Sequence, residues 1–373
     1  MDERIQYRCM RNKKLLIFIW NLGIGGVQKR VRDILLDMEK NYPEWTVYLL
    51  VKRKDPHHFN KEIEKINNVK VIYFPTKHRI YNCWSSIIWI AKEFLIIKPD
   101  VCLTFLSHFS VFLIWLKKIF FWQKTKLILN EGVFTSGYLP IHSSYPKFEN
   151  FLVRLSYKYA DLIIAPTKAV KNNLTDEYKV PRKKIKVISN WTLFKAYKSK
   201  KSKYDLIYIG RFEKEKNLLK LIDLIVEIKK KIKNIKLCLI GEGSELKIIK
   251  KKIKDKRLEK NVIILKTKKD IIPYLRQSKV FVTLSCNEGL PNVILEAGMC
   301  QLFAIANNFE GVSEVIRQNL TGYYSESKKK LCNKIIFLLR NENIRKEMGI
   351  RVQKHILKFF GKSNQERFIK LIV

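Results

Sequence analysis

Short runs of Ile, Leu, Val and Phe alternate along this chain with longer stretches whose apolar positions recur every three or four residues. A short run that is apolar at consecutive positions reads as a strand buried on both faces, and a helical stretch between two such runs supplies a parallel crossover. The pattern predicts strands over 15–20, 46–51, 69–74, 101–106, 127–130, 162–165 and 185–188, with helices such as 27–39 and 147–159 between them. A polar stretch, 195–203, interrupts the rhythm before a fresh strand at 206–209 and further strands at 236–240, 262–265, 280–284 and 302–306. From 328 onward the chain reads as helical. The expected fold class is α/β, with two Rossmann-like, doubly wound parallel-sheet domains. The first is expected over 1–194 and the second over 195–355, leaving a last helical segment, 356–373, to pack back across the first.

With 373 residues, 47% of them hydrophobic, the chain can bury two ordinary cores. Charge changes the picture more, because 74 Lys and Arg against 34 Asp and Glu leave a net +40. Such an excess fits a nucleic-acid surface, contact with an anionic membrane, or a lysine-rich bias carried on solvated helix faces, as in 229–233 and 247–254. The segment 105–126, FLSHFSVFLIWLKKIFFWQKTK, mixes aromatic and basic residues and favours the membrane. Its apolar run contains His108 and stops at Lys117 and Lys118, short of the ~20 residues that a spanning helix needs. The opening 1–14 carries charges of both signs and no apolar core, unlike a secretory signal. The expectation is a cytoplasmic protein held peripherally on the inner face of the membrane. Seven cysteines stand far apart with no CxxC spacing, which suits reduced, mostly buried thiols and argues against a zinc site.

Three glycine-bearing turns carry candidate chemistry. Gly23-Ile24-Gly25-Gly26-Val27-Gln28 follows the first strand and opens a helix. Glycines there let backbone approach a ligand, and the helix start offers free N–H groups to an anion. The third glycine of GxGxxG is missing, so a plain tight turn remains an equal reading. Gly210-Arg211-Phe212-Glu213-Lys214-Glu215-Lys216-Asn217 holds the equivalent place in the second half. An Arg fork and a mobile Lys, Arg211 and Lys216, suit a diphosphate; the alternative is a solvated basic loop, and Lys214 is a bystander. Gly241-Glu242-Gly243-Ser244 adds a third turn at the same sheet edge, where ligands of open α/β sheets collect, although glycine also punctuates such turns in general.

The most specific stretch is Ser285-Cys286-Asn287-Glu288-Gly289-Leu290-Pro291-Asn292-Val293-Ile294-Leu295-Glu296-Ala297. Glu288 precedes a glycine and a proline and should project from a loop, Pro291 suits a first helical turn, and Glu296 follows inside the helix. Two carboxylates so placed can reach different parts of one extended polar ligand, with the helix N-terminus facing its phosphates. Carboxylates accept hydrogen bonds from sugar hydroxyls, whereas acid hydrolysis of a glycoside would need both acids flanking one bond. Two unrelated surface acids near a helix start are the bland alternative.

Taken together, these residues resemble the retaining glycosyltransferases of family four, which have the GT-B fold. Glu288 to Glu296 is similar to their EX7E arrangement, and the GRFxxEKN stretch at Gly210, the LIGEG turn at Gly241 and the GxGG loop at Gly23 occur in the family's order. The resemblance runs from about 15 to about 348. It implies that Arg211 and Lys216 bind the donor diphosphate, that Glu288 lies against the transferred sugar, and that Glu296 holds the nucleotide ribose. Gly23, Gly25, Gly26, Gly210, Gly241, Gly243, Gly289, Leu290, Pro291 and Asn292 would complete the donor site. It also implies no bound metal and no cofactor beyond a nucleotide-sugar co-substrate, with a UDP-sugar expected. His108 is the best match to a histidine that touches the sugar in the family, against a plain helix-start histidine. Glu131, after the strand ending at Asn130, faces either the acceptor or the core. Three departures stand out: Gly298-Met299-Cys300-Gln301-Leu302-Phe303, where the family more often has Cys-Gly and then Pro-Val; Glu310-Gly311 in place of a Gly-Gly pair; and Leu265-Lys266-Thr267 in place of Leu-Gly.

The expected activity is transfer of a sugar, with retention, from a nucleotide diphosphate to a saccharide or lipid-linked saccharide in cell-surface glycan synthesis. A GT-B nucleotide-sugar epimerase would consume donor without an acceptor. A basic nucleic-acid-binding protein would leave the paired carboxylates unexplained, and nucleic acid is not expected as a partner.

Overall fold

The computed structural model describes residues 12–54, 60–75, 83–105, 107–142 and 145–373. The first sheet contains β1 (Lys13–Asn21), β2 (Trp45–Arg53), β3 (Val69–Tyr73), β4 (Val101–Thr104), β5 (Lys126–Asn130), β6 (Leu162–Ala165) and β7 (Ile185–Val187), in the order β3-β2-β1-β4-β5-β6-β7. The second contains β8 (Tyr204–Ile209), β9 (Leu237–Ile240), β10 (Val262–Leu265), β11 (Ser278–Thr283), β12 (Phe303–Ala306) and β13 (Gly322–Tyr324), in the order β10-β9-β8-β11-β12-β13. Every pairing between these strands is parallel. Both sheets reverse their direction of winding once, between β1 and β4 and between β8 and β11, and such a reversal opens a crevice at the carboxyl ends of the strands. The GxGG turn leaves β1, the Gly210 turn leaves β8, and the Glu288 loop leaves β11. The candidate motifs therefore fall at the two reversal points.

Consecutive apolar residues in the strands are explained by cores on both faces of each sheet. In β1, Leu16 and Phe18 enter one core of the first domain, while Leu15, Ile17 and Ile19 enter the other. The helix Glu342–Phe359 gives Val352 and Ile356 to the second domain's core, and Phe360 joins them. After Gly361 the chain crosses back. Phe368, Ile369 and Ile372 enter a first-domain core, with the Phe368 ring 5.3 Å from that of Trp191. The return thus lies beyond the 355/356 division expected from the sequence, because the apolar spacing of the helix continues to Phe360.

Other differences are local. The strand expected over 101–106 ends at Thr104, and the helix Ser107–Ile119 follows. The helix expected over 147–159 is α-helical only over Pro146–Ser156 and tightens into a 3-10 turn at Tyr157–Tyr159, which turns Tyr157 into the core. Strand β13 has three residues, too few for a period to show. Gln301, whose φ is 64, sits in the left-handed region at the place where the family resemblance has glycine. A side chain there costs roughly 1–3 kcal/mol of backbone strain. Gln301→Gly is therefore expected to raise stability by roughly 1 kcal/mol after glycine's greater unfolded-state entropy is subtracted. The thermal midpoint of the variant checks this, and a fall would contradict it.

Candidate active site

The second domain's half of the site is built on backbone. Tyr208, buried in β8, donates its hydroxyl to the Arg211 carbonyl at 2.9 Å and so fixes the turn that follows the strand. Phe212 N–H donates to Glu242 O at 2.8 Å and Glu245 N–H to Phe212 O at 2.9 Å, which ties the turns after β8 and β9 together. A Cβ on Gly241 would lie 1.9 Å from the Gly210 carbonyl oxygen, and one on Gly243 2.4 Å from that of Phe212. These two glycines are required by turn-on-turn packing, independently of any ligand. Lys214–Lys216 forms a single 3-10 turn, and Asn217 at φ 54 lets the chain swing into the helix Leu218–Lys229. Asparagine tolerates that left-handed conformation better than most side chains.

The loop after β11 docks on this turn. Cys286 N–H donates to Glu215 O at 2.9 Å, and Lys216 Nζ lies 2.5 Å from Glu288 Oε1, both side chains being largely buried. Arg211 reaches outward, with Nη2 3.1 Å from Glu215 Oε1. The cationic turn and the first acid, 72 residues apart in the chain, are therefore in contact. Burial and the nearby Glu288 and Glu215 carboxylates push the Tyr208 phenol well above its ordinary pKa, so it stays a neutral donor.

The first domain meets this half at its helix termini. Pro291 caps the helix Asn292–Met299 from just outside, one place earlier than the first-turn position expected. Glu296, buried one turn in, forms an ion pair with Lys29 of the helix Gly26–Asn41, and the Lys29 ammonium also lies 3.5 Å from the Phe194 ring centroid. Asn292 Nδ2 donates to Gly26 O at 3.4 Å, and a Cβ on Gly26 would stand 3.0 Å from the same nitrogen. Asn190 Nδ2 bonds Leu290 O at 2.8 Å and Asn292 Oδ1 at 2.7 Å. A Cβ on Gly289 would come within 2.0 Å of Gly132 O. Glu314 accepts from Lys168 N–H and Ala169 N–H, at 2.7 and 2.9 Å, and so caps the helix Lys168–Asp176 from the other domain. Two helix N-termini, those at Gly26 and Asn292, thus converge, and each offers unsatisfied N–H groups and a partial positive charge to an anion.

Gly23, whose N–H donates to Asn21 Oδ1 at 3.2 Å, and Gly25, which caps the first helix, belong to the same turn. His108 falls in the first turn of the helix Ser107–Ile119, but its side chain lies outside the described residues. Glu131 is not presented to an acceptor here. It is buried, with Oε2 accepting the Tyr157 hydroxyl at 2.7 Å, and burial raises its pKa to about 7. Sequence reasoning missed Lys29, Asn190, Tyr208 and Glu314. Lys29, one turn after the GxGG glycines, was the one with a visible signal; Asn190 and Glu314 act through pairings that no local pattern encodes, and Tyr208 acts locally, on the Arg211 carbonyl three residues on. The thiols of Cys102, Cys238 and Cys300 are buried and pushed up to about 12 by desolvation, while Cys286 is exposed.

Residues 24–192 match the family described as Glycosyltransferase Family 4, and residues 189–355 match Glycosyl transferases group 1. The chain belongs to the family-four glycosyltransferases. It is 27% identical to the N-acetyl-alpha-D-glucosaminyl L-malate synthase of Bacillus anthracis, over 57% of this chain and 58% of that protein. Over 90% of this chain and 92% of the relative, it is 23% identical to the N-acetylgalactosamine-N,N'-diacetylbacillosaminyl-diphospho-undecaprenol 4-alpha-N-acetylgalactosaminyltransferase of Campylobacter jejuni. The crystal structure of HepE from Anabaena, in complex with UDP and glucose, superposes with a TM-score of 0.78 at 17% identity, covering 96% of this chain and 99% of that one. The two facing parallel-sheet domains are those of the GT-B glycosyltransferases.

Glu131 gives a test of the site's interior. Its folded pKa, about 7 against an ordinary 4.5, means that ionisation opposes folding: the penalty is absent at low pH, grows above 4.5 and is complete above 7. Glu131→Gln should therefore stabilise the protein by roughly 3 kcal/mol at pH 8 and much less at pH 5. Melting curves at both pH values measure the difference, and a pH-independent effect would refute it.

Proposed function

We propose that this glycosyltransferase moves a sugar from a UDP-sugar to a saccharide or lipid-linked saccharide with retention of anomeric configuration, without a metal. The observation that carries the reading is the convergence at one cleft of Lys216, Glu288 and Glu296 with two helix N-termini from different domains. The departing diphosphate gains negative charge as the bond from the sugar's anomeric carbon to phosphate oxygen breaks. Preorganised cations and N–H dipoles stabilise that charge most where water is excluded. Arg211 and Lys216 supply the cations, and the helices at Gly26 and Asn292 supply the dipoles. The acceptor oxygen bonds to the same face of the anomeric carbon, and its proton passes to the leaving diphosphate, so no side chain becomes covalently attached. Glu288 faces the sugar hydroxyls. Glu296 holds the ribose: its Oε1 is engaged by Lys29, and a carboxylate has lone pairs enough to accept a hydroxyl on Oε2 as well. UDP in the HepE structure and the undecaprenol-linked substrate in the C. jejuni relative's name support the choice of donor and acceptor class.

Two measurements test this. In a thermal-shift panel of UDP, GDP and ADP, UDP should give the largest stabilisation, about 2.7 kcal/mol at 100 times its dissociation constant, and Glu296→Ala should remove most of it. A larger response to GDP or ADP would reassign the donor. In turnover assays with donor and acceptor, Arg211→Ala and Lys216→Ala should each lower kcat by about 10²-fold or more while the protein stays folded. Donor loss that needs no acceptor would instead identify an epimerase.

A further inference from the structure

An exposed aromatic and basic face lies on the first domain, outside the cleft. The helix Pro146–Ser156 presents Phe148, Phe151 and Leu155 outward, and Tyr159 continues the stripe at helical spacing. Phe148 and Phe151 are 61% and 57% exposed. The helix Ser107–Ile119 packs beside it, joined by Trp115 Nε1 donating to Ser156 Oγ at 2.9 Å, and its end exposes Ile119, Phe121 at 78% and Trp122 at 62%. Large apolar side chains rarely stand together in water unless something covers them.

The charge around the stripe says what covers it. Residues 115–124 and 145–161 carry six basic side chains, from Lys117 to Lys158, against two acids, Glu149 and Asp161, the second of which pairs with Lys117. Lys118 Nζ sits 3.3 Å from the Tyr159 ring centroid, so cation and aromatic share one surface. A second copy of the chain would set these lysines against their own equivalents, whereas a bilayer with anionic headgroups accepts the rings at its interface and the ammonium groups at its phosphates.

We propose that this face docks on an anionic lipid bilayer. The inference takes from the proposed function only the location of the acceptor. Vesicle binding is read without donor or acceptor, so its failure and that of the transferase reading are separable. The test is flotation of the full chain with vesicles of phosphatidylcholine alone or mixed with phosphatidylglycerol. The protein should float with the mixed vesicles and hardly with the neutral ones. The pairs Phe148→Ser with Phe151→Ser, and Phe121→Ser with Trp122→Ser, should each cut partitioning at least tenfold with an unchanged melting temperature. Lys118→Glu with Lys158→Glu should remove the preference for anionic lipid. Variants that float like the parent, equal flotation on neutral vesicles, or a dimer that the serine variants convert to monomer would each overturn the proposal.

Discussion

The closest constraint in this molecule is the meeting of two sheets through their carboxyl-end turns at backbone distance. Gly289 against the Gly132 carbonyl leaves no room for added side-chain bulk, the Asn292 amide packs tightly on Gly26, and the Lys29–Glu296 pair seals the same seam. Everything that the site does depends on this approach, because neither domain alone holds both helix termini or both members of that pair. Asn190 and the Glu314 cap on the helix Lys168–Asp176 brace the seam from either side. A carboxylate at a helix N-terminus is favourable within one chain, and across two domains it also fixes their register.

The cleft is arranged around charge that is already paired. Two largely buried ammonium groups, Lys29 and Lys216, are each held by one of the two acids of the EX7E stretch. Pairs of this kind add little net stability, since desolvation offsets attraction, yet removing one partner leaves the other charge exposed to a costly environment. Their value lies in placement: each pair holds its ammonium group at a fixed position in the cleft. The +40 background raises the local concentration of any anionic co-substrate near this cleft, an effect that weakens as salt is added.

Much of the fold was legible because strands buried on both faces leave unbroken apolar runs, and twelve of them were placed within a few residues of where they form. The three-residue β13 carried no period, and Tyr157–Tyr159 kept helical apolar spacing while tightening. For the site, Lys216 and Glu288 were expected around one ligand, and the structure puts them in contact. The glycines at 241 and 243 had two readings, and the packing of adjacent turns accounts for them without a ligand. Asn190 and Glu314 were hidden for a common reason. Each acts through a partner supplied by tertiary packing, and spacing along the chain reports only local neighbours. Gln301 shows the converse: a departure from the family pattern that is visible in the sequence has its consequence in backbone strain, which only the structure reports.

The helix Ser107–Ile119 links the two functional regions. It begins just past the carboxyl end of β4, at the first sheet's reversal point, and ends among the exposed aromatic side chains. Thirteen residues at 1.5 Å rise make it about 20 Å long; Phe109 and Leu113 are buried, and Trp115 and Ile119 are exposed toward its far end. The neighbouring helix Pro146–Ser156 packs beside it and exposes Phe148 and Phe151. The aromatic face is set by how the helices Ser107–Ile119 and Pro146–Ser156 pack on the first sheet, whereas the charged turns converge through the helices that begin at Gly26 and Asn292.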